Sequence, residues 1–208
     1  MSYKVVEYSP KLDLTEFYKE NQRQGLENNA SQHAMFDCFR NEPHWNGWLV
    51  EYNNRFIGGV CIHSFDDVMG PNSYRIYARS CFHTELSMKP TGYVKSHYTN
   101  LQNVGLQLFT PVSIEWAGID KKFYGSSNSR DVGSAQVVDK VWFPRLAERG
   151  IFTRITEVFY RGHYQNIWEL NVQEYLRQIK TVPHWDCEFP SVDLRKEMPL
   201  PTERCQAF

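Results

Sequence analysis

Two apolar, β-prone runs flank a pair of asparagines in residues 47–65, GWLVEYNNRFIGGVCIHSF. Adjacent asparagines tolerate positive φ, so Asn53-Asn54 predicts a tight turn and the flanking runs predict a β-hairpin. The glycines Gly58 and Gly59 in the second run predict a bulge or a close approach of another backbone. This hairpin constrains the fold more than any other segment, because it commits the early part of the chain to an antiparallel sheet.

Other segments add strands and helices around this hairpin. Alternating or Val- and Tyr-rich patterns predict strands at 3–9, 73–86, 111–123 and 152–160. Apolar residues at helical spacing predict helices that begin near Asp13 or Thr15 and at 31–42, 135–150 and 164–179, with a kink at Pro144. Residues 87–110 fit no single pattern, and a helix is one possibility for them. This order predicts an α/β fold with a mixed sheet and helices on both faces.

Composition and charge restrict the class of protein. The 208 residues are 41% apolar and carry a net charge of −1, which favours a globular domain and gives no basic excess for a nucleic-acid partner. The start of the sequence has no apolar stretch behind a basic region, so we expect no signal peptide, and no run of about 18 apolar residues suggests a membrane span. The five cysteines are scattered and never form C-x-x-C, so we expect reduced thiols, no metal site and a cytoplasmic location.

The stretch RDVGSA, residues 130–135, lies between a predicted strand and a predicted helix. The first turn of a helix has backbone N–H groups without intrahelical partners, and a phosphate accepts hydrogen bonds from them. Gly133 and Ala135 would allow a ligand to approach the backbone closely, and Arg130 would add a charge-assisted contact. The alternative is an ordinary capped loop, since short Gly/Ala patterns at a helix start are common.

The pattern R-x-x-G-x-A after a strand, a helix ending in AERG and a strand of the type RITEV together resemble the acyl-CoA-binding core of the GNAT superfamily of N-acyltransferases. The hairpin WLVEYNNRFIGGVCI is similar to the central hairpin of that family. The resemblance covers roughly 3–65 and 112–179. It implies a single GNAT-like domain over 1–208, with an insert at about 66–111 and a Pro-punctuated tail at about 181–208, and a V-shaped splay between two central strands of a mostly antiparallel sheet.

The resemblance also implies a cofactor site, because the equivalent loop of the family wraps the pyrophosphate of coenzyme A. The expected pyrophosphate ligands are Arg130, Asp131, Val132, Gly133, Ser134 and Ala135. The pantetheine amides would pair with the strand edge at Trp116, Ala117 and Ile119, and Asn166 lies near the position of a family asparagine. The co-substrate implied is acetyl-CoA or another acyl-CoA.

Two residues are candidates for the chemistry. Glu115 stands where a base is often found in this family, and the alternative is a solvent-facing position on an alternating strand. Tyr175 is the candidate for the acid that protonates the departing thiolate, and the alternative is packing of a helix-face tyrosine.

The expected function is transfer of an acyl group, most simply acetyl, from acyl-CoA to the amine of a small molecule or peptide. Asp131 adds an anion to a loop for anions, and the family's later tyrosine pattern is not reproduced. Two alternatives therefore stay open: a binding or structural protein on the same fold without catalysis, and an enzyme that uses another acyl or aminoacyl donor. No nucleic-acid or membrane partner is expected, and a homodimer is left open.

Overall fold

The computed structural model describes residues 3–21, 36, 41–52, 54–80, 88–89, 92–93, 109–130, 139–140 and 143–178. The strands, in chain order, are β1 Tyr3–Glu7, β2 Asn46–Tyr52, β3 Arg55–Ser64, β4 Ser73–Ser80, β5 Met88–Lys89, β6 Gly92–Tyr93, β7 Lys122–Asn128, β8 Phe152–Tyr160 and β9 His163–Leu170. The helices are α1 Thr15–Asn21, α2 Asp66–Met69, α3 Thr110–Ala117, α4 Phe143–Glu148 and α5 Val172–Gln178.

Two compact units divide the chain. The first spans Met1–Ser64, Tyr77–Ser113 and Thr181–Val192, and the second spans Phe65–Ile76, Ile114–Lys180 and Asp193–Phe208. The strand order is β1-β2-β3-β4 in the first unit and β4-β7-β9-β8 in the second, because residues of β4 belong to both.

The first unit contains the predicted hairpin. β2 and β3 pair antiparallel, and Asn54 takes a positive φ of 59° in the turn between them. The register shifts between Val50 and Glu51, which leaves Ile57 without a ladder partner next to Gly58, so the predicted bulge is confirmed. Local turn chemistry and the apolar runs are sufficient to specify this element.

The predicted first helix is confirmed as α1. An Asp13 carboxylate oxygen accepts a hydrogen bond from the backbone N–H of Thr15 at 3.0 Å, which satisfies one of the unpaired donors of the first turn. Leu14 and Phe17 turn inward onto a core cluster that also contains Phe36, Leu49 and Cys61. The second predicted helix, 31–42, lies outside the described residues except for Phe36, which is helical, and for residues 41 and 42.

The second unit is built on β7, β8 and β9, which pair antiparallel, and on β4, which pairs parallel with β7. The parallel register joins Ser73 to Lys122, Tyr74 to Phe123 and Arg75 to Tyr124. Parallel neighbours need a crossover connection, and α3 lies on the chain between them. The predicted mixed, mostly antiparallel sheet is therefore confirmed.

Two secondary-structure predictions were wrong in this unit. Residues 111–117 belong to helix α3 instead of a strand, and the strand begins only at Lys122. Residues 164–170 belong to strand β9 instead of a helix, and α5 begins at Val172. The pattern of β9 misled because the residues from Gln165 to Trp168 are all buried, so the strand lacks the alternation that identifies a half-buried strand.

The predicted helix at 135–150 is described in part. α4 is described over Phe143–Glu148 and contains Pro144, and the described residues 139 and 140 before it are π-helical. The predicted strand 152–160 is confirmed as β8. Its hairpin with β9 turns through Arg161 and Gly162, which both have positive φ.

Candidate functional site

The chain leaves β7 at Asn128 and enters the segment that the sequence marked as a phosphate loop. Of that loop, Arg130 is described, and residues 131–135 lie outside the described residues. The Arg130 guanidinium lies 3.4 Å from the centroid of the Tyr164 ring and 3.2 Å from the Glu157 carboxylate. Arg130, the first residue of the predicted loop, therefore lies against Glu157 of β8 and Tyr164 of β9. Its side chain is 59% exposed.

Glu157 is held as a carboxylate by these neighbours. The Ser129 hydroxyl donates to one of its oxygens and Arg130 donates to the other. These two hydrogen bonds, the one from Ser129 first, hold the pKa of Glu157 below its ordinary value. A carboxylate stabilised in this way is a weak base, so Glu157 is suited to binding a cation more than to accepting a proton.

A buried polar network closes the base of the same loop. The Ser127 hydroxyl donates to Asp139 at 2.5 Å, and the Asn166 amide donates to the same carboxylate oxygen at 2.7 Å. Arg154 donates to the carbonyl oxygen of the Asn166 side chain at 2.6 Å, and Trp168 donates to Ser127 at 3.1 Å. These contacts join Ser127, just before the segment 128–138, to Asp139, just after it. Ser127, Asp139 and Asn166 are each less than 10% exposed.

An aromatic cluster supports this network on the same side of β9. The Phe143 ring stacks on Trp168 at a centroid distance of 5.0 Å and meets Phe152 edge-on at 5.1 Å. A Cβ at Gly125 would lie 2.6 Å from the Phe143 ring, so glycine is required where β7 passes beneath it. The start of α4 is therefore held against the sheet by packing as well as by Asp139.

A second buried cluster surrounds Arg75 of β4. Its guanidinium donates to Ser126 at 2.7 Å and to Gln165 at 2.9 Å, and lies 5.1 Å from the centroid of the Tyr160 ring. Burial raises the pKa of Tyr160, against the opposing effect of Arg75. Arg75 is only 3% exposed, so its described contacts join β4 to β7 and β9 within the core.

The residues predicted to form the strand that binds the pantetheine arm do not lie in a strand. Trp116 and Ala117 end helix α3 and Ile119 lies in the turn after it, so none of the three is on a strand edge. Trp116 is 39% and Ile119 is 56% exposed. Glu115 is exposed on the same helix, so its predicted strand position is wrong. The physical reason is the helical crossover between β4 and β7, which occupies the residues that had been assigned to the strand.

The two remaining candidates are buried. Tyr175 of α5 is 0% exposed, and burial raises the pKa of its hydroxyl well above the ordinary value. This burial favours the packing alternative over a proton donor, because a general acid must reach the reacting group. Asn166 lies on β9 instead of a helix, and its amide is used in the network with Arg154 and Asp139.

Sequence reasoning missed the network at the base of the loop. Ser127 lies in the polar run YGSSNS, and Asp139 lies within a helical pattern where it reads as a surface residue. No local signal joins them, because the contact depends on the pairing of β7 with β9.

Among the described residues, no group of three or more His, Cys, Asp or Glu side chains could hold a metal ion. Within the same residues, none of the helices is long and apolar enough to cross a membrane.

No protein-family model and no curated protein matches this sequence. Solved structures do match its fold. A structure of AAC(6')-Ib with paromomycin and acetyl-CoA has a TM-score of 0.56 at 11% identity, covering 85% of this chain and 97% of its own. Aminoglycoside acetyltransferase AAC(6')-Ib with coenzyme A and kanamycin has a TM-score of 0.55 at 11% identity, with 86% and 100% covered.

An uncharacterized protein from Bacillus halodurans shares the same similarity. Its TM-score is 0.54 at 7% identity, covering 86% of this chain and 88% of its own. At these identities the similarity is one of fold. The chain shares the fold of these structures, which confirms the predicted GNAT-like fold class.

Proposed function

We propose that this protein is an acyl-CoA-dependent N-acyltransferase that moves an acyl group, most simply acetyl, to an amine. The observation that carries the proposal is the fold, which matches acetyltransferase structures that hold acetyl-CoA or coenzyme A. Fold alone does not define an activity, so the proposal also depends on the loop that follows β7.

The diphosphate of the donor is proposed to bind the loop Arg130–Ala135. Arg130 is largely exposed and lies at the start of the loop, and its guanidinium matches the geometry of phosphate oxygens. The network of Ser127, Asp139 and Asn166 supports this role, because it holds the loop at both ends. On binding, Arg130 would exchange its contact with Glu157 for one with the diphosphate.

The topology offers a second position for the diphosphate. Ligands of open α/β sheets bind beyond the carboxyl end of a strand that enters a crossover helix. β4 is such a strand, since it runs parallel to β7 and α3 lies between them on the chain. The segment that follows β4, residues 81–91, contains Lys89 and is the competing candidate for the same ligand.

In the proposed reaction, the uncharged amine attacks the thioester carbonyl, the C–S bond breaks and the thiolate takes up a proton. Tyr175 is too deeply buried to be retained as the source of that proton. Glu115 is exposed on α3 and stays a prediction for the base. Trp116, Ala117 and Ile119 are not proposed as a strand edge for the pantetheine arm.

The acceptor is proposed to be an amine of a small molecule or a peptide. The matched structures were solved with paromomycin or kanamycin, which supports a small-molecule amine as the class to screen first. The cytoplasmic location expected from the cysteines stays a prediction.

The first experiment is a thermal shift with acetyl-CoA and with ATP as the control. A ligand that binds only the folded protein raises the melting temperature by mass action. A shift with acetyl-CoA and none with ATP would support the proposal and would justify a screen of amines for acetyl transfer. Absence of a shift at millimolar acetyl-CoA would contradict it and would favour the alternative of a binding protein without catalysis.

Two variants decide between the two diphosphate positions. Gly133→Trp places a bulky ring in the loop after β7, and Lys89→Gln removes a positive charge from the segment after β4. Loss of acetyl-CoA binding in Gly133→Trp alone, at an unchanged melting temperature, supports the loop at 130–135. Loss in Lys89→Gln alone overturns that position and assigns the segment after β4.

A further inference from the structure

We propose that Glu157 and Tyr164 form a binding site for a guanidinium group of the acceptor, and that Arg130 occupies this site until the donor draws it away. The identity of the ligand rests on the proposed function. In the structure the Arg130 guanidinium lies 3.4 Å from the centroid of the Tyr164 ring and 3.2 Å from a Glu157 carboxylate oxygen. A guanidinium group therefore already fills the site and shows which chemistry the site accepts.

The strand register places the parts of this site on one face of the β8–β9 hairpin. Phe159 pairs with Tyr164, and Glu157 pairs with Asn166. Residues two apart on a strand, such as Glu157 and Phe159, point to the same face. Phe159 is 66% and Tyr164 is 41% exposed, and their ring centroids lie 5.1 Å apart. The carboxylate thus lies beside an exposed aromatic surface that is wider than the single ring contacted by Arg130.

Ser129 holds the carboxylate in place independently of Arg130. Its hydroxyl donates to the Glu157 oxygen that Arg130 does not contact. Its backbone N–H donates to the carbonyl oxygen of Tyr164 at 3.0 Å. Because Ser129 keeps Glu157 next to Tyr164, the site would persist when the Arg130 side chain leaves it.

Arg130 is suited to leaving the site. Its side chain is 59% exposed, and its described contacts are the ion pair with Glu157 and the ring of Tyr164. An exposed ion pair contributes little to stability, so the charged oxygens of a diphosphate can compete for the guanidinium. The loop that begins at Arg130 is the proposed position of that diphosphate.

Arg154 limits which cations the vacated site can bind. Its guanidinium donates to Asn166, and its positive charge acts on the Glu157 carboxylate. This charge opposes any second cation. A compact, strongly hydrated ammonium group therefore gains less there than a guanidinium group, which is weakly hydrated and stacks on the Tyr164 ring.

The class of acceptor follows from this chemistry. A guanidinium group keeps its proton in proteins, so it cannot be the nucleophile that attacks the thioester. The acceptor would be a small molecule that bears a guanidinium group in addition to the amine that is acylated. Glu157 and Tyr164 would hold the charged group and so position the molecule, while the amine reacts.

The first test measures binding of ethylguanidinium to the full chain by ligand-observed NMR, with the neutral N-ethylurea as the control. Arg130 competes for the site in the wild-type protein, so we expect Arg130→Ala to bind ethylguanidinium at least about tenfold more tightly. The double variants Arg130→Ala/Glu157→Gln and Arg130→Ala/Tyr164→Leu should lose this gain at unchanged melting temperatures. An affinity of Arg130→Ala no higher than that of the wild type would overturn the site.

Arg177→Ala is the matched control for a freed carboxylate. Arg177 forms an exposed ion pair with Glu174 at 2.5 Å, and no cation–π contact joins it to an aromatic ring of the described residues. We expect little gain in ethylguanidinium affinity from this variant. A gain equal to that of Arg130→Ala would mean that a freed carboxylate alone explains the binding, which would overturn the role of Tyr164.

Inorganic pyrophosphate tests the coupling to the donor. If a diphosphate draws Arg130 away, pyrophosphate should tighten the binding of ethylguanidinium to the wild type, and by linkage ethylguanidinium should tighten pyrophosphate binding by the same factor. Pyrophosphate should leave the affinity of Arg130→Ala unchanged. An equal effect on both proteins would mean that the two probes pair in solution, and no effect on the wild type would mean that Arg130 does not link the sites. Either result would overturn the coupling.

These outcomes are distinguishable from a failure of the proposed function. The affinity of Arg130→Ala for ethylguanidinium is measured without a donor and without acyl transfer. The thermal shift with acetyl-CoA reports on the proposed function separately.

Discussion

The Ser127 hydroxyl and the Asp139 carboxylate, twelve residues apart in the chain, are joined by a buried hydrogen bond of 2.5 Å. Asn166 donates to the same oxygen at 2.7 Å from the neighbouring strand. The relationship closes the loop that follows β7 at its base. It therefore joins two positions that lie before and after the proposed diphosphate loop, residues 130–135.

Replacement of Asp139 tests this closure. Asp139→Ala leaves the Ser127 hydroxyl and the Asn166 amide buried without their acceptor, and we expect a loss of about 2 kcal/mol in the free energy of unfolding. Asp139→Asn retains one carbonyl oxygen and should lose less, because neutral hydrogen bonds replace charge-assisted ones. Urea unfolding of both variants measures the difference. Equal losses would show that the acceptor oxygen is not what stabilises the loop.

Gly125 tests the packing of α4 on β7. Gly125→Ala introduces a Cβ 2.6 Å from the Phe143 ring, which cannot move freely because it lies between Trp168 and Phe152. Overpacking of this kind costs about 1–3 kcal/mol, measured as a lower midpoint in urea. The double variant Gly125→Ala/Phe143→Leu should cost less than the sum of the single variants, because the smaller side chain leaves room for the methyl group. Full additivity would contradict the contact.

Alkaline conditions should destabilise the protein through its buried tyrosines. Burial raises the pKa of Tyr175, Tyr160 and Tyr124 above the ordinary value of 10.0, and at Tyr124 the charge of Glu169 adds to this effect. The unfolded chain then loses protons first, so stability is complete below about pH 10 and falls as the pH rises further. Urea unfolding at a series of pH values measures the slope. Tyr175→Phe should show a shallower decline, and an unchanged slope would contradict the assignment.

Acid conditions should remove a contribution from Glu174. Its carboxylate is paired first with Arg177 and then with Gln178, which lowers its pKa from 4.5 to about 2. A lowered pKa gives stability that is present above pH 4.5 and is lost as the pH falls towards 2. Glu174→Gln lacks this contribution, so its stability curve should approach that of the wild type in acid. A difference that stays constant down to pH 2 would contradict this linkage.

The elements that could be predicted are those whose determinants are local. The predicted turn between β2 and β3, the glycines beside the bulge and the start of the first helix depend on residues within a few positions. The structure has Asn54 at positive φ, a bulge next to Gly58 and a helix from Thr15, as predicted. The general order of strands and helices also follows from local patterns, so the GNAT-like fold could be predicted even though two segments were assigned wrongly.

The two wrong segments had determinants that lie far away in the chain. β9 is covered on both faces, so Ile167 and Trp168 are buried together and its pattern resembles a helix. Its polar residues Gln165 and Asn166 are satisfied by Arg75 and Asp139, which are 90 and 27 residues distant. No window of sequence around β9 contains these partners.

The same difference between local and distant determinants applies to the residues of the candidate site. Arg130 was predicted from a local motif, and it lies two residues after β7 ends, at the start of the proposed diphosphate loop. The roles of Glu115, Trp116 and Tyr175 depended on which face or edge those residues occupy. That placement is set by the crossover helix α3 and by the packing of α5, which local patterns do not report.

Local patterns were enough to predict the hairpin and the mixed sheet, because turns, caps and periodicity act over a few residues. The hydrogen bond between Ser127 and Asp139, the enclosure of Tyr175 and the position of β8 at the end of the strand order depend on segments that are far apart in the chain. Burial and pairing are relations between distant segments. They therefore appear only when the chain has brought those segments together.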